Sequence, residues 1–349
     1  MSTLLETPLV CFLTGDGIST ELNAFAARAL RIAIPGALLE EAPAGFATFG
    51  AFGTALPAES LAAARRADAC FLVAVGSPMV PTSGYRSPIV TLRCELDLFA
   101  NIRPVQSLPQ SGGKVDLVLV RENTEGMYAG RETTQPGRCV AERVITERAS
   151  RRIARFAGQI AQKRSGRVTI VHKANVLRET CGLFRTTAFD ELEKVGGLQV
   201  DELLVDNAAL QLVANPERFD VLVTTNLFGD ILSDVAAHAG GGLGLVTSAN
   251  LGSPGQGGSL FEPVHGSAPD LVGTHRANPI ATLRAMAMLV RHLGFEEEAQ
   301  ALEAAINHTI VHGPCTPDLG GEGTTASVSE AILARLYAHL SNSLSTDPS

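Results

Sequence analysis

Two rhythms of apolar and polar positions alternate along this chain. Short uninterrupted apolar runs, rich in β-branched residues, occur at LVCFL (9–13), ACFLVAVG (69–76), LDLFANI (96–102), VDLVLVR (115–121), VTIVHK (168–173), LQVDELLVD (198–206) and FDVLVTTN (219–226). Amphipathic stretches with helical spacing fall between and after them, at 20–33, 146–162, 285–294 and 328–340. Runs of four to eight apolar residues alternating with helical patterns predict an α/β protein with a mostly parallel sheet flanked by helices.

Glycine clusters at 239–245 and 252–258 mark the expected crossings between two lobes. Neither cluster is a G-x-G-x-x-G between a strand and a helix, and no G-x-x-x-x-G-K-[ST] occurs, so a standard Rossmann domain or P-loop is not expected. The length of 349 residues suits two lobes.

Composition narrows the functional classes. A formal charge of -8, from 28 basic and 36 acidic residues, disfavours a nucleic-acid partner. No apolar run reaches the roughly 18 residues of a membrane span, and the N-terminal stretch has no basic flank before its apolar residues, so a cytoplasmic location is expected. Cys11, Cys70, Cys94, Cys139, Cys181 and Cys315 lack metal-ligand or C-x-x-C spacing and read as reduced packing thiols.

Three sets of side chains carry candidate chemistry. Asp230 and Asp234 stand at i and i+4, which on a helix places both carboxylates on one face about 6 Å apart. With a third ligand such as Asp206, they suit Mg²⁺ or Mn²⁺. The spacing alone fits a solvated helix face better, but the apolar, glycine-punctuated surroundings argue against one. Arg93 and Arg103 flank LDLFANI and Arg121 closes VLVR, where guanidinium groups could either cap strands at the surface or converge on a carboxylate ligand. Lys173 follows the VTIVH run and Tyr128 is one of only three tyrosines, a pair able to relay protons if brought together, though either alone could be structural.

VRENTEGMYAG, HKANVLRETCGLF, DNAALQLVANPERFDVLVTTNLFGDILSD, GGGLGLVTSANLG and FEPVHGSAPDLVGTHRANPIAT together resemble the β-decarboxylating dehydrogenases, the family of isocitrate, 3-isopropylmalate and homoisocitrate dehydrogenases. The similarity runs from Gly15 to about Leu336, and GYRSPIVTLRCELDLFANIRPV and GPCTPDLGGEGTT look most like the homoisocitrate branch. The resemblance implies a two-lobed fold with a discontinuous cofactor-binding domain, 1–98 and 254–349, and a smaller domain, 99–253, holding the metal carboxylates and the dimer interface.

It also implies roles. Arg93, Arg103 and Arg121 would bind the malate moiety, Asp206, Asp230 and Asp234 the metal, and Arg86 and Ser87 the variable arm. Lys173 would be the base and Tyr128 the acid, with Lys173 and Asp206 reaching into the site of a partner subunit in a homodimer or dimer-based tetramer. His265, Gly266, Ala268, Asp270 and Asn278 would hold the adenosine half of the cofactor. A carboxylate at Asp270 accepts ribose hydroxyls and repels a 2′-phosphate, so NAD is the implied cofactor. The implied reaction is NAD-dependent oxidative decarboxylation of a homoisocitrate-like 3-substituted malate, with isocitrate and 3-isopropylmalate as alternatives and a non-catalytic regulatory subunit as the reading from another class.

Two departures from the family pattern stand out. Ser19 and Thr20 replace a usual Gly-Pro, a change expected to act on the cap of the following helix, and Ile89 replaces the Asn of many isocitrate enzymes.

Overall fold

The computed structural model describes residues 7–80, 82–108, 115–253 and 255–344. The first six residues, read above for a leader, and Pro254 of the second glycine cluster lie outside them. In chain order the first stretch runs β1 (Leu9–Leu13), α1 (Ser19–Ala33), β2 (Leu38–Ala42), α2 (Phe46–Phe52), α3 (Ala58–Arg66), β3 (Ala69–Leu72) and α4 (Pro88–Glu95). The central stretch holds β4 (Ala100–Gln106), β5 (Asp116–Glu122), β6 (Glu132–Gln135), β7 (Arg138–Ala141), α5 (Glu147–Gln162), β8 (Arg167–His172), α6 (Arg178–Val195), β9 (Gln199–Leu204), α7 (Val205–Ala214), β10 (Val221–Thr224) and α8 (Asn226–Ala239). The last holds β11 (Thr247–Leu251), β12 (Ser259–Pro263), α9 (Ile280–His292), α10 (Glu296–His312) and α11 (Thr325–Leu344).

The chain forms two compact units. One comprises residues 1–96, 243–249 and 254–349; the other comprises 97–242 and 250–253. In the first, β2, β1, β3 and β12 lie side by side and all three pairings are parallel. In the second the order is β4-β5-β10-β8-β9, antiparallel only between β4 and β5. The central strands β3 and β10 are buried at every position, as expected where helices cover both faces of a parallel sheet. Among the described residues no helix is long and apolar enough to cross a membrane.

Two sequence expectations change. The run LDLFANI is a turn followed by a strand: Asp97 has φ 44°, pairing starts at Ala100, and Arg103 therefore lies inside β4 rather than beyond its end. Ser19 does not cap α1. Its buried hydroxyl donates to the Ala74 carbonyl at 3.0 Å and accepts from the Ala74 amide at 3.1 Å, tying the helix to the segment after β3. Small size at Ser19 serves a close approach here, because the N-cap position falls one residue earlier, on Ile18.

Candidate active site

Strand alternation begins the site. Asn101, Arg103 and Arg121 share one face of the β4–β5 pair, since Asn101 is in register with Arg121 and Arg103 with Leu119. Helix α8 packs on β4 and β5 and brings four residues under the two guanidinium groups: Asn226, Gly229, Asp230 and Ser233. A Cβ at Gly229 would stand 2.6 Å from Arg121 Cγ, so only glycine lets the helix come this near.

Arg121 is almost completely buried, and an uncompensated guanidinium there would be strongly destabilising. Its Nε and an Nη donate to Asn226 Oδ1 at 3.0 and 2.7 Å, and its other Nη to Asp230 Oδ1. Arg103, also buried, donates from Nε to Asn101 Oδ1 at 2.7 Å and from its Nη atoms to Ser233 Oγ and, at 3.2 Å, to Asp230. Asn101 in turn donates to Asn250 Oδ1 at 2.7 Å.

Tyr128 closes this cluster from a short 3-10 turn, Met127–Ala129. Its hydroxyl donates to Asp230 Oδ2, and the Arg121 guanidinium stands 5.1 Å from its ring centre. Burial and then the Asp230 carboxylate hold the phenol above its ordinary range, so it remains a proton donor through neutral pH. One carboxylate thus gathers two arginines and the tyrosine.

Asp234 lies one turn further along α8, 3.8 Å from Arg103. Burial raises its pKa; Arg103 pulls the other way and the Asp230 charge adds to the rise. Two carboxylates crowded on one helix face, one of them resisting ionisation, are a donor set that a hard divalent cation would relieve. Among the described residues no three acidic, histidine or cysteine side chains come together as a metal set.

Asp206 and Lys173 form a separate pair. Lys173 leaves the end of β8, where its amide donates to the buried Cys181 sulfur at 3.3 Å, and its ammonium bonds Asp206 in the first turn of α7. The Asp206 side chain is 65% exposed, and Lys173 holds its carboxyl below the ordinary range. Tyr128 and Lys173 therefore do not form a relay within one copy; each is bonded to a different aspartate.

The other expected residues lie in the first unit. Arg93, buried on α4, pairs with the equally buried Glu262 of β12 at 3.1 Å, and its Nε has no partner. Ser87 is the N-cap of α4, and Arg86 is exposed in the loop before it. His265, Gly266, Ala268 and Asn278 line a cavity of about 350 Å³ together with Ile18, Gly244, Leu271, Arg276, Pro317 and Asp318. The half-buried His265 ring keeps Nδ1 within 3.1 Å of the Gly266 carbonyl and leaves Nε2 without accessible surface or partner. Burial pushes this imidazole below its usual pKa, so it is neutral at pH 7.

Asn278 accepts from the Ile280 amide at 2.9 Å and donates to Asp318 at 2.8 Å. Gly17, at φ 60°, lets the β1–α1 loop meet this segment: a Cβ there would stand 2.0 Å from the Ser267 carbonyl. An apolar floor with an orphaned imidazole nitrogen fits the adenosine half of a dinucleotide. Asp270 sits exposed in the adjoining turn and is not part of the lining.

Comparison with known proteins accords with this geometry. A profile described as isocitrate/isopropylmalate dehydrogenase matches residues 9–332. The isocitrate/homoisocitrate dehydrogenase of Thermus thermophilus is 45% identical over 332 residues, covering 94% of this chain and 98% of that protein. The crystal structure of isocitrate dehydrogenase from Methylococcus capsulatus superposes with a TM-score of 0.89 at 39% identity, over 95% of this chain and 99% of that one. A β-decarboxylating dehydrogenase from Thermococcus kodakarensis, in apo form, gives 0.85 at 37% identity, over 98% and 100%. This chain belongs to the isocitrate/isopropylmalate dehydrogenase family and is a β-decarboxylating dehydrogenase.

Proposed function

We propose that this chain is an NAD-dependent, Mg²⁺- or Mn²⁺-assisted oxidative decarboxylase of a homoisocitrate-like 3-substituted malate, acting in the cytoplasm as a homodimer or dimer-based tetramer with shared sites. The observation that carries the reading is the convergence of Arg103, Arg121 and Tyr128 on Asp230, beside Asp234. Two dry guanidinium groups and a protonated phenol around one acidic centre suit a carboxylate-bearing substrate whose reaction ends in a proton transfer.

The chemistry supplied by the bound groups is hydride acceptance by the nicotinamide and withdrawal of charge by the cation. Arg103 and Arg121 turn from Asp230 toward the substrate's malate carboxylates, as Arg93 does from Glu262. Asp230 and Asp234 would hold the cation, with Asp206 of a second copy. Lys173 of that second copy takes the hydroxyl proton during oxidation, and Tyr128 returns a proton to carbon after CO₂ leaves. His265, Gly266, Ala268 and Asn278 seat the adenosine, with Asp270 disfavouring a 2′-phosphate.

Exposed apolar side chains support the second copy. Leu210 and Val213 on α7 and Ile231 on α8 are each more than half exposed, and the β6–β7 ribbon is exposed along its whole length. An isolated two-stranded ribbon is marginal in water. Retention of Tyr128, Lys173 and all three aspartates argues against a regulatory subunit. Ile89 in place of a hydrogen-bonding Asn argues against strict isocitrate specificity, while an arm without charge, as in 3-isopropylmalate, gives Arg86 no partner. Initial-rate assays of the purified chain with NAD and Mg²⁺ across these substrates test the proposal; absence of NADH formation with all of them would refute it.

A further inference from the structure

Arg86 and Ser87 leave an irregular segment that follows β3, and that segment has a built base. At its start the Gly76 amide donates to Asp16 Oδ2 at 2.7 Å. Asp16 also accepts from the Phe46 and Ala47 amides, at 2.6 and 2.9 Å, so one carboxylate fixes α2 and the start of the segment together. At its end, next to Arg86, the Tyr85 hydroxyl donates back to the Gly76 carbonyl at 2.8 Å. The Tyr85 ring meets Phe46 and Phe49 edge-on, with centroids 5.7 and 5.4 Å away. Between these points Met79 and Val80 are exposed.

We propose that Tyr85, clasped by Phe46 and Phe49 and bonded to the Gly76 carbonyl, is a positioning residue for specificity that holds Arg86 and Ser87 where they meet the variable arm of the substrate. The inference rests on the reading of this chain as a 3-substituted malate dehydrogenase. Arg86 and Ser87 are adjacent in sequence to a ring held by two aromatic contacts and by the hydroxyl's bonds to the Gly76 carbonyl and the Ser77 side chain, so their backbone is fixed although Arg86 itself is exposed. Fixing a flexible recognition segment before binding reduces the ordering cost that arm recognition would otherwise carry. Arg93, Arg103 and Arg121, which take the malate part, are held by other partners, Glu262, Asn101 and Asn226. Burial, with Asp16 nearby, keeps the Tyr85 phenol above its ordinary range, so the hydroxyl stays a donor.

The test measures kcat and KM for Tyr85→Phe and Tyr85→Leu with two ligands. One is the 3-substituted malate the wild type prefers; the other is unsubstituted malate, as substrate or competitive inhibitor. Tyr85→Phe keeps the ring and removes the hydroxyl's bonds, and it should raise KM for the armed substrate about 3- to 10-fold while the constant for malate stays within about 2-fold. Tyr85→Leu, losing both, should raise the armed KM by about 30-fold or more. If it is too unstable to assay, Phe49→Leu, which leaves the phenol in place, should move the armed KM in the same direction. Equal changes for both ligands, or no change for either, would overturn the proposal. Failure of the functional reading looks different: the wild type itself would then oxidise no 3-substituted malate, and both ideas would fall.

Discussion

The two candidate sites, one in each unit, are built in opposite ways. In the second, every atom of the Arg103–Arg121–Tyr128–Asp230 cluster is engaged before a substrate arrives: Asn101, Asn226 and Ser233 satisfy the guanidinium groups and Asp230 balances them. In the first, the cavity beside His265 is partly apolar and keeps a buried imidazole nitrogen with no partner. Binding at the charged cluster exchanges strong interactions for other strong ones, so it discriminates by charge and geometry. Binding at the cavity satisfies an orphaned polar atom and covers apolar surface, so it is set by shape and one electrostatic feature, Asp270 at its margin. Substitutions should therefore be severe at the charged cluster and graded at the cavity.

The largest effect is expected at Asp230. Asp230→Asn removes the charge opposite two buried arginines and half of the paired carboxylates, so turnover should fall by about 10³-fold or more. The amide oxygen still accepts from an arginine, so the variant should fold, with a lowered Tm. Near wild-type kcat at ordinary Mg²⁺ concentration would break the contrast between the units.

Next come Lys173 and Tyr128, the proposed base and acid, which the structure ties to different aspartates. Lys173→Met should abolish NADH formation in a single turnover, whereas Tyr128→Phe should slow overall turnover by about 10²-fold with a smaller loss in the hydride step. Equal single-turnover NADH rates in both variants and the wild type would remove these roles. If Lys173 serves a partner's site, mixing Lys173→Met with Tyr128→Phe under subunit exchange should restore activity.

A graded effect is expected at the cavity margin. Replacing Asp270 by Lys and Leu271 by Tyr should move the NADP-to-NAD ratio of kcat/KM by about 10- to 100-fold, the scale of one reversed charge in a partly exposed site. An unmodified chain that uses both cofactors equally would contradict the role given to Asp270.

The smallest effect concerns pH. His265 has a lowered pKa, so the unfolded chain binds more protons than the folded one between that value and the ordinary imidazole range, and stability rises with pH across the window. Acidifying from about pH 7 to about pH 5.5 should lower the Tm of the wild type more than that of His265→Gln. A wild type no more sensitive than the variant would show that the ring is not held neutral by burial.

Strands such as β1 and β3 were legible because burial leaves LVCFL and ACFL free of polar interruptions, whereas the parallel strands β2 (LLEEA) and β12 (SLFEP) carry glutamates and show no such run. The β6–β7 ribbon was not legible either: its residues, ETTQ and RCVA, are exposed and carry no alternation. Charged groups of the site could be picked out because arginine and aspartate in apolar surroundings need compensation. The groups that supply it, Asn226, Ser233, Asn101 and Asn250, could not, since an asparagine or serine is common anywhere and acquires its role only through contacts more than a hundred residues apart in sequence for Arg121 and Ser233. Gly229 belongs with them, its meaning set by the Arg121 side chain it lets pass. Glu262, which holds Arg93, sat unnoticed within FEPVHG. Asp318, within GPCTPDLGG, accepts from Asn278 and lines the cavity, a contact the sequence alone does not show.

If the charged cluster and the segment around Arg86 together select a malate with a carboxylated arm, kcat/KM of the purified chain with NAD and Mg²⁺ should rank homoisocitrate first, isocitrate second and 3-isopropylmalate last, because Arg86 would pair a distal carboxylate and Ile89 would pack against the extra methylene, worth about 0.8 kcal/mol if fully buried. A chain that ranks 3-isopropylmalate first would contradict that selection.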